Sequence, residues 1–185
     1  MPDSGESTAW VALLRGVNVN GITVRSADLA ALFRETLGFD AVRTVLASGN
    51  VRFEDAADVS ARATVKGRIE AALRERFGYD AWIVLITLEE LRRALDAFPF
   101  DASAADRQPY VVFASGQAVI DELAAAAANG LGREVDPVHA GHGVLYWNPA
   151  RGASTTTPFA KILARPAYRS TTTTRNLRTL LRLST

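Results

Sequence analysis

Hydrophobic positions along the chain repeat with two periods, and the switches between them outline its elements. Trp10 to Val17 is an apolar, β-branched run that predicts a buried strand. Leu29, Leu32, Phe33 and Leu37 then recur at helical spacing. They predict a helix over 27–37, with Ser26 as its N-cap and Gly38 at its end. Val42–Leu46 and Val51–Phe53 read as strands, and the turn residues Ser48-Gly49-Asn50 between them make a hairpin. Val65, Ile69, Ala72, Leu73 and Phe77 mark a second helix over 59–77, stopped by Gly78. Ala81 to Ile86 is a fourth buried strand. The order is β-α-β-β-α-β, the ferredoxin-like split arrangement. Thr87 and Glu90 have capping-box spacing for a further helix over 88–97, which Phe98-Pro99-Phe100 breaks.

The pattern then starts again. Tyr110–Ala114 is a strand, Gln117–Ala128 an alanine-rich helix, and Arg133–Val138 and Gly143–Trp147 are strands around a Gly-rich turn. Thr157 caps and Pro158 starts a short helix. Tyr168–Thr173 reads as a last strand because threonine favours strands, and a final helix covers 174–183. The expected fold is α+β: duplicated ferredoxin-like (βαββαβ) halves with an extra C-terminal helix. The expected limits are a flexible tail at 1–8, a first half at 9–100, a linker at 101–108 and a second half with the last helix at 109–185.

Composition narrows the function classes. A length of 185 residues fits one domain or two small sub-domains, and 48% hydrophobic residues supply a core. Cysteine is absent, which excludes disulfides, Cys-ligated zinc, iron–sulfur clusters and thiol nucleophiles. No stretch approaches the roughly 18 apolar residues of a membrane span. The run Trp10 to Leu14 stops at Arg15, too short for a secretory signal. The expectation is a cytoplasmic protein with no membrane partner.

The net charge of +1 conceals a split. Residues 1–136 carry 14 basic and 20 acidic residues, whereas 137–185 carry seven basic and none acidic. On a final helix, Arg175, Arg178 and Arg182 fall within roughly 60° of one another, with Leu177, Leu180 and Leu181 opposite. Lys161, Arg165 and Arg169 precede them. Such a stripe suits phosphate groups through charge-assisted hydrogen bonds. It equally suits a solvated helix face pairing with the acidic part of the chain.

Four segments carry a family resemblance: Ala12-Leu13-Leu14-Arg15-Gly16-Val17-Asn18-Val19, Leu37-Gly38-Phe39 with Val42-Arg43-Thr44, Ala47-Ser48-Gly49-Asn50-Val51-Arg52-Phe53, and Thr172-Thr173-Thr174-Arg175-Asn176-Leu177-Arg178-Thr179. In this order and spacing they resemble the bacterial family known as domain of unknown function 1697. The resemblance implies a duplicated ferredoxin-like α+β protein and no defined activity. The chain departs from the family pattern at Asn20-Gly21-Ile22, where the family has Gly-Gly-Lys, and at Leu177, where it often has Trp.

Arg15 to Gly21 joins a strand to a helix, where backbone N–H groups can hold an anion, but it has neither P-loop nor dinucleotide spacing. Ser48-Gly49-Asn50 lacks the flanking glycines of a nucleophile elbow and reads as turn chemistry. Asp136, His139 and His142 have metal-like composition, yet no zinc pattern is completed, so neither metal nor cofactor is expected. The leading expectation is a non-catalytic protein that binds a phosphate-bearing ligand, a nucleotide or nucleic acid, through the basic C-terminal region. Arg15, Asn18, Ser48, Asn50, Arg175 and Asn176 would hold that ligand, with Lys161 adding charge. The alternatives are an enzyme acting on a small phosphorylated or carboxylated metabolite, and a structural protein whose motif residues tie its halves together.

Overall fold

The computed structural model describes residues 7–15, 24–46, 49–78, 80–128 and 136–185. By contacts the chain divides into two compact units, Met1–Arg92 with Arg182–Thr185, and Arg93–Leu181. The whole is mixed α+β with two four-stranded antiparallel sheets.

In the first unit β1 (Thr8–Arg15) lies between β3 (Asn50–Asp55) and β4 (Trp82–Thr87), and β2 (Asp40–Thr44) pairs with β3, giving the order β2-β3-β1-β4. β1 is buried along most of its length, as its continuous apolar run requires. α1 (Ser26–Ala31) begins one residue earlier than expected. Its N-cap is Arg25, and Ser26 instead donates its hydroxyl to Leu46 O at 3.3 Å. The expected single helix over 27–37 also changes pitch. Leu32–Thr36 forms a π-turn, closed by Leu37 N–H to Leu32 O at 3.0 Å. The widening sits where Phe33 meets Phe53 edge-on at 5.3 Å and Phe39 stacks on Phe53 at 4.3 Å, all three rings buried. α2 (Arg62–Phe77) ends at Gly78, whose φ of 68° is a left-handed conformation that glycine adopts without steric cost. The capping box at α3 (Leu88–Asp96) forms as expected. Thr87 Oγ1 accepts from Glu90 N–H at 3.1 Å, and Glu90 returns a carboxylate to Thr87 N–H at 2.8 Å.

The second unit has β5 (Tyr110–Ala114), α4 (Gln117–Ala128), β6 (Val138–Ala140), β7 (Val144–Trp147), α5 (Pro158–Leu163), α6 (Pro166–Arg169), β8 (Thr172–Asn176) and then α7 (Leu177–Ser184), whose last residues count with the first unit. Its sheet order, β6-β7-β5-β8, repeats the pattern of the first. β5 and α4 have their expected bounds. Of the strand expected at 133–138, residues 133–135 lie outside the described residues, 136 and 137 are not in a strand, and β6 begins at Val138. The segment 101–108 is fastened to this unit: Arg107 bridges Ala150, and Arg151 Nε donates to Ala105 O at 2.7 Å.

The C-terminal stretch corrects the sequence reading. Residues 166–169 are helical, with Pro166 opening the turn where its missing N–H costs nothing. The strand expected at 168–173 therefore runs 172–176, and the helix expected at 174–183 runs 177–184. The β-branched threonines carry the strand further than anticipated, and Asn176 ends it. Arg175 consequently lies on a strand, so the helical stripe of Arg175, Arg178 and Arg182 does not form. Leu177, Leu180 and Leu183 are the buried leucines of α7, while Leu181 is 48% exposed.

Candidate functional site

In the first unit Arg15 ends β1 opposite Trp82 of β4. Asn50 opens β3 and is fully buried. Its Nδ2 donates to Val45 O at 3.0 Å, and its own carbonyl accepts from Val45 N–H at 3.0 Å. Gly49 O accepts from Leu14 N–H at 2.7 Å. The Gly49-Asn50 pair thus ties the start of β3 to Val45 and to β1. Asn18 and Ser48 lie outside the described residues.

In the second unit Arg175 stands on β8 opposite Val111. Its guanidinium bonds Thr173 Oγ1 at 2.6 Å and Thr174 O at 3.0 Å. Asn176 Oδ1 accepts from Arg178 N–H at 2.9 Å, so Asn176 is the N-cap of α7. Lys161, in α5, is exposed. Arg165 and Arg169 follow at four-residue spacing on the start and end of α6 and are also exposed. None of these three side chains forms an ion pair among the described residues. The aspartates and glutamates that do pair, with Arg62, Lys66, Arg68, Arg74 and Arg107, all lie earlier in the chain.

α5 is held from beneath. Thr157 Oγ1 accepts from Ala160 N–H at 3.2 Å at its N-terminus. Asp136, buried, accepts from Phe159 N–H at 2.7 Å with one carboxylate oxygen and from the Trp147 indole N–H with the other. Asp136 is therefore committed to packing. The grouping with His139 and His142 does not become a metal centre: both histidines are exposed, and no three His, Asp or Glu residues converge among the described residues. A cleft of about 430 Å³ is lined by Asp136 and His139 together with apolar residues that include Phe100, Ala124, Ala127 and Val138. The Tyr168 hydroxyl, on α6, donates to Glu122 of α4 at 2.8 Å. That bond, with burial, raises the phenol above its ordinary value.

A model of the family described as "Protein of unknown function (DUF1697)" matches residues 7–146. The chain belongs to that family. The match covers the β1 and β3 motif segments and ends before Thr172–Thr179. The chain is also similar to a solved structure, described as the conserved bacterial protein SP0830 from Streptococcus pneumoniae. The two are 22% identical with a TM-score of 0.78, over 97% of each chain. At that identity the likeness establishes the fold alone. No curated protein matches.

Asp136, which the sequence offers only as part of a metal-like grouping, matters most for these basic residues, because it anchors the helix that carries Lys161. Its partners are 11 and 23 residues away, so no local spacing signals the role. Arg165 and Arg169 were visible only as charge. Pro166 directly after Arg165 was the available sign of a helix start.

Proposed function

We propose that this DUF1697 member is a non-catalytic binding protein for a phosphate-bearing ligand, a nucleotide or nucleic acid. One observation carries the reading. Lys161, Arg165 and Arg169 present three exposed cations, spaced by four and without ion-pair partners among the described residues, in a stretch that holds no acidic residue after Asp136. Cations that no acidic side chain among the described residues neutralises are available to phosphates, whose contacts gain by releasing counterions. Of the residues expected from the sequence, the reading leans on Lys161 and adds Arg165 and Arg169. The finer description of each unit as ferredoxin-like, and of the pair as a duplication, belongs to this proposal. The shared strand order and the element order support it. The cytoplasmic placement belongs to it too.

Fluorescence anisotropy with a labelled single-stranded oligonucleotide and with a labelled nucleotide tests the reading at two salt concentrations. Three phosphate contacts imply a log–log salt slope of about −2 on single strands. The triple variant Lys161→Glu, Arg165→Glu, Arg169→Glu is expected to abolish binding. Absence of salt-sensitive binding to either probe, or binding that the triple variant retains, refutes it.

A second reading has its own support. Asn50 and Asn176, both motif residues, spend side-chain groups on backbone partners within their own units. On that reading the motifs hold turns and helix starts rather than a ligand.

A further inference from the structure

β4 is an apolar strand left at the edge of a sheet. Its six residues, Trp82-Ile83-Val84-Leu85-Ile86-Thr87, contain no charge, glycine or proline, and its partner in the sheet is β1. An edge of that composition is a template for another strand. The register identifies the groups that point outward. Leu14 gives its N–H to Gly49 O on the β3 side, and Leu14 stands opposite Ile83. Ile83, Leu85 and Thr87 therefore turn their backbone groups away from β1.

A charged side chain meets each of the three. Glu70 accepts from Ile83 N–H at 3.1 Å, Arg62 donates to Leu85 O at 3.5 Å, and Glu90 accepts from Thr87 N–H at 2.8 Å. Arg62 also pairs with Glu90 at 2.8 Å, and Lys66 with Glu70 at 3.6 Å. Arg62, Lys66 and Glu70 are spaced by four on α2 and so form one row along it. The row is laid against the sheet by its own aromatic contacts: Arg62 sits 5.6 Å over the Trp10 ring and Lys66 5.2 Å over the Trp82 ring. A row of charge on a helix ordinarily faces water; this one bonds to strand backbone.

We infer that Arg62, Lys66, Glu70 and Glu90 form a guard on the β4 edge, and that the strand they exclude is β4 of a second copy of this chain. Two β4 strands laid antiparallel are related by a two-fold axis, so the outward backbone groups of Ile83, Leu85 and Thr87 meet the same groups of a second copy across a closed pairing. The same geometry makes β4 a latent self-association surface, closed while the guard stands.

The full chain carrying Arg62→Ala and Glu70→Ala tests this by sedimentation velocity over a concentration series, with hydrogen–deuterium exchange. Expected is self-association at least tenfold tighter than that of the unsubstituted chain, with slowed exchange at the Ile83 and Leu85 amides on association. Adding Ile86→Lys, at a half-exposed position of the same strand, is expected to reverse it, since a charge within an edge blocks pairing. A folded double variant that associates no more tightly than the unsubstituted chain overturns the inference. So does association that Ile86→Lys leaves intact. Circular dichroism reports folding; if the double variant is unfolded, Glu70→Ala alone is judged by the same criteria, because it bares Ile83 N–H while Arg62 and Glu90 stay paired.

Discussion

Replacing Asp136 by alanine strips the second unit of one acceptor pair and leaves two buried donors behind. Trp147 and Phe159 are 2% and 0% exposed, so water does not substitute for the carboxylate in the folded state. A buried donor left without a partner costs about 1–3 kcal/mol. Two of them place Asp136→Ala at about 3–5 kcal/mol, among the larger single-substitution effects. Asp136→Asn keeps one oxygen but turns an amide N–H₂ toward the other donor, so about half that loss is expected. Urea unfolding followed by tryptophan fluorescence and circular dichroism measures both. The origin of the loss is checked by a double-mutant cycle with Trp147→Phe, which removes the indole N–H and most of the reason for the carboxylate. The coupling should be about 1–2 kcal/mol in the direction of rescue. The second unit should also lose more than stability. Phe159 N–H lies in the first turn of α5, so loosening it displaces Lys161 and should weaken any anion binding that depends on it. An Asp136→Ala cost below about 1 kcal/mol, or a coupling of zero, refutes the assignment of Asp136 as the anchor of this helix.

Three further outcomes follow from single side chains. Asn176→Ala should destabilise by about 1 kcal/mol in thermal unfolding, through the lost cap on α7, while Asn176→Ser should cost only a few tenths. A role confined to ligand contact would leave both variants at the stability of the parent chain. At Glu90, burial opposes ionisation, but the Arg62 guanidinium and the Thr87 N–H and hydroxyl outweigh it and hold the carboxyl below its ordinary 4.5. The unfolded chain takes up that proton first, so this stabilisation is present above 4.5 and is lost as pH falls through the lowered value; urea midpoints from pH 7 to 3 should fall less steeply in Glu90→Gln. Tyr168 has the opposite sign. The hydrogen bond to Glu122, then burial, raises its phenol above 10, so its contribution holds below pH 10 and fades as pH rises toward the raised value. Tyr168→Phe should flatten that alkaline loss.

The parts of the fold that were legible in the sequence are those where local chemistry agrees with the tertiary outcome. β5 and α4 have their expected bounds because a β-branched run bordered by Ser115-Gly116 gives way at once to an alanine-rich one. The Thr87–Glu90 box and the Thr157–Pro158 start are recognisable because both signals are complete within four residues. The C-terminal stretch misleads because its signals conflict. Threonine favours strands and arginine favours helices, so the boundary between 173 and 177 is undetermined by propensity. What settles it is an asparagine that can cap, followed by leucines at helical spacing, with β5 available to receive one more strand. The π-turn at Leu32–Thr36 has no local signal at all, since the spacing of Leu29, Leu32, Phe33 and Leu37 also fits an ordinary helix.

The candidate site divides along the same line. Charge is a property of sequence, so the basic residues Lys161, Arg165 and Arg169 are visible as composition. Whether a charge is already spent depends on partners far away in the chain, and that is where position decides. Arg62 and Glu70 look like solvent-facing residues on a helix, and they bond to β4. Arg175 looks like part of a helical stripe, and it bonds to its own strand. Asp136 looks like a metal ligand beside two histidines, and it holds a tryptophan and a helix. The near-neutral total of +1 averages over two kinds of charge. In the first unit opposite charges lie close enough to neutralise one another and to close a sheet edge. After Asp136 no acid follows, so cations there can be neutralised only by residues brought from elsewhere in the chain or by an external anion. Lys161, Arg165 and Arg169 have no such ion-pair partner among the described residues. Their surplus therefore stays exposed. A salt titration of anion binding measures how many of those charges a ligand meets, independently of what the ligand is.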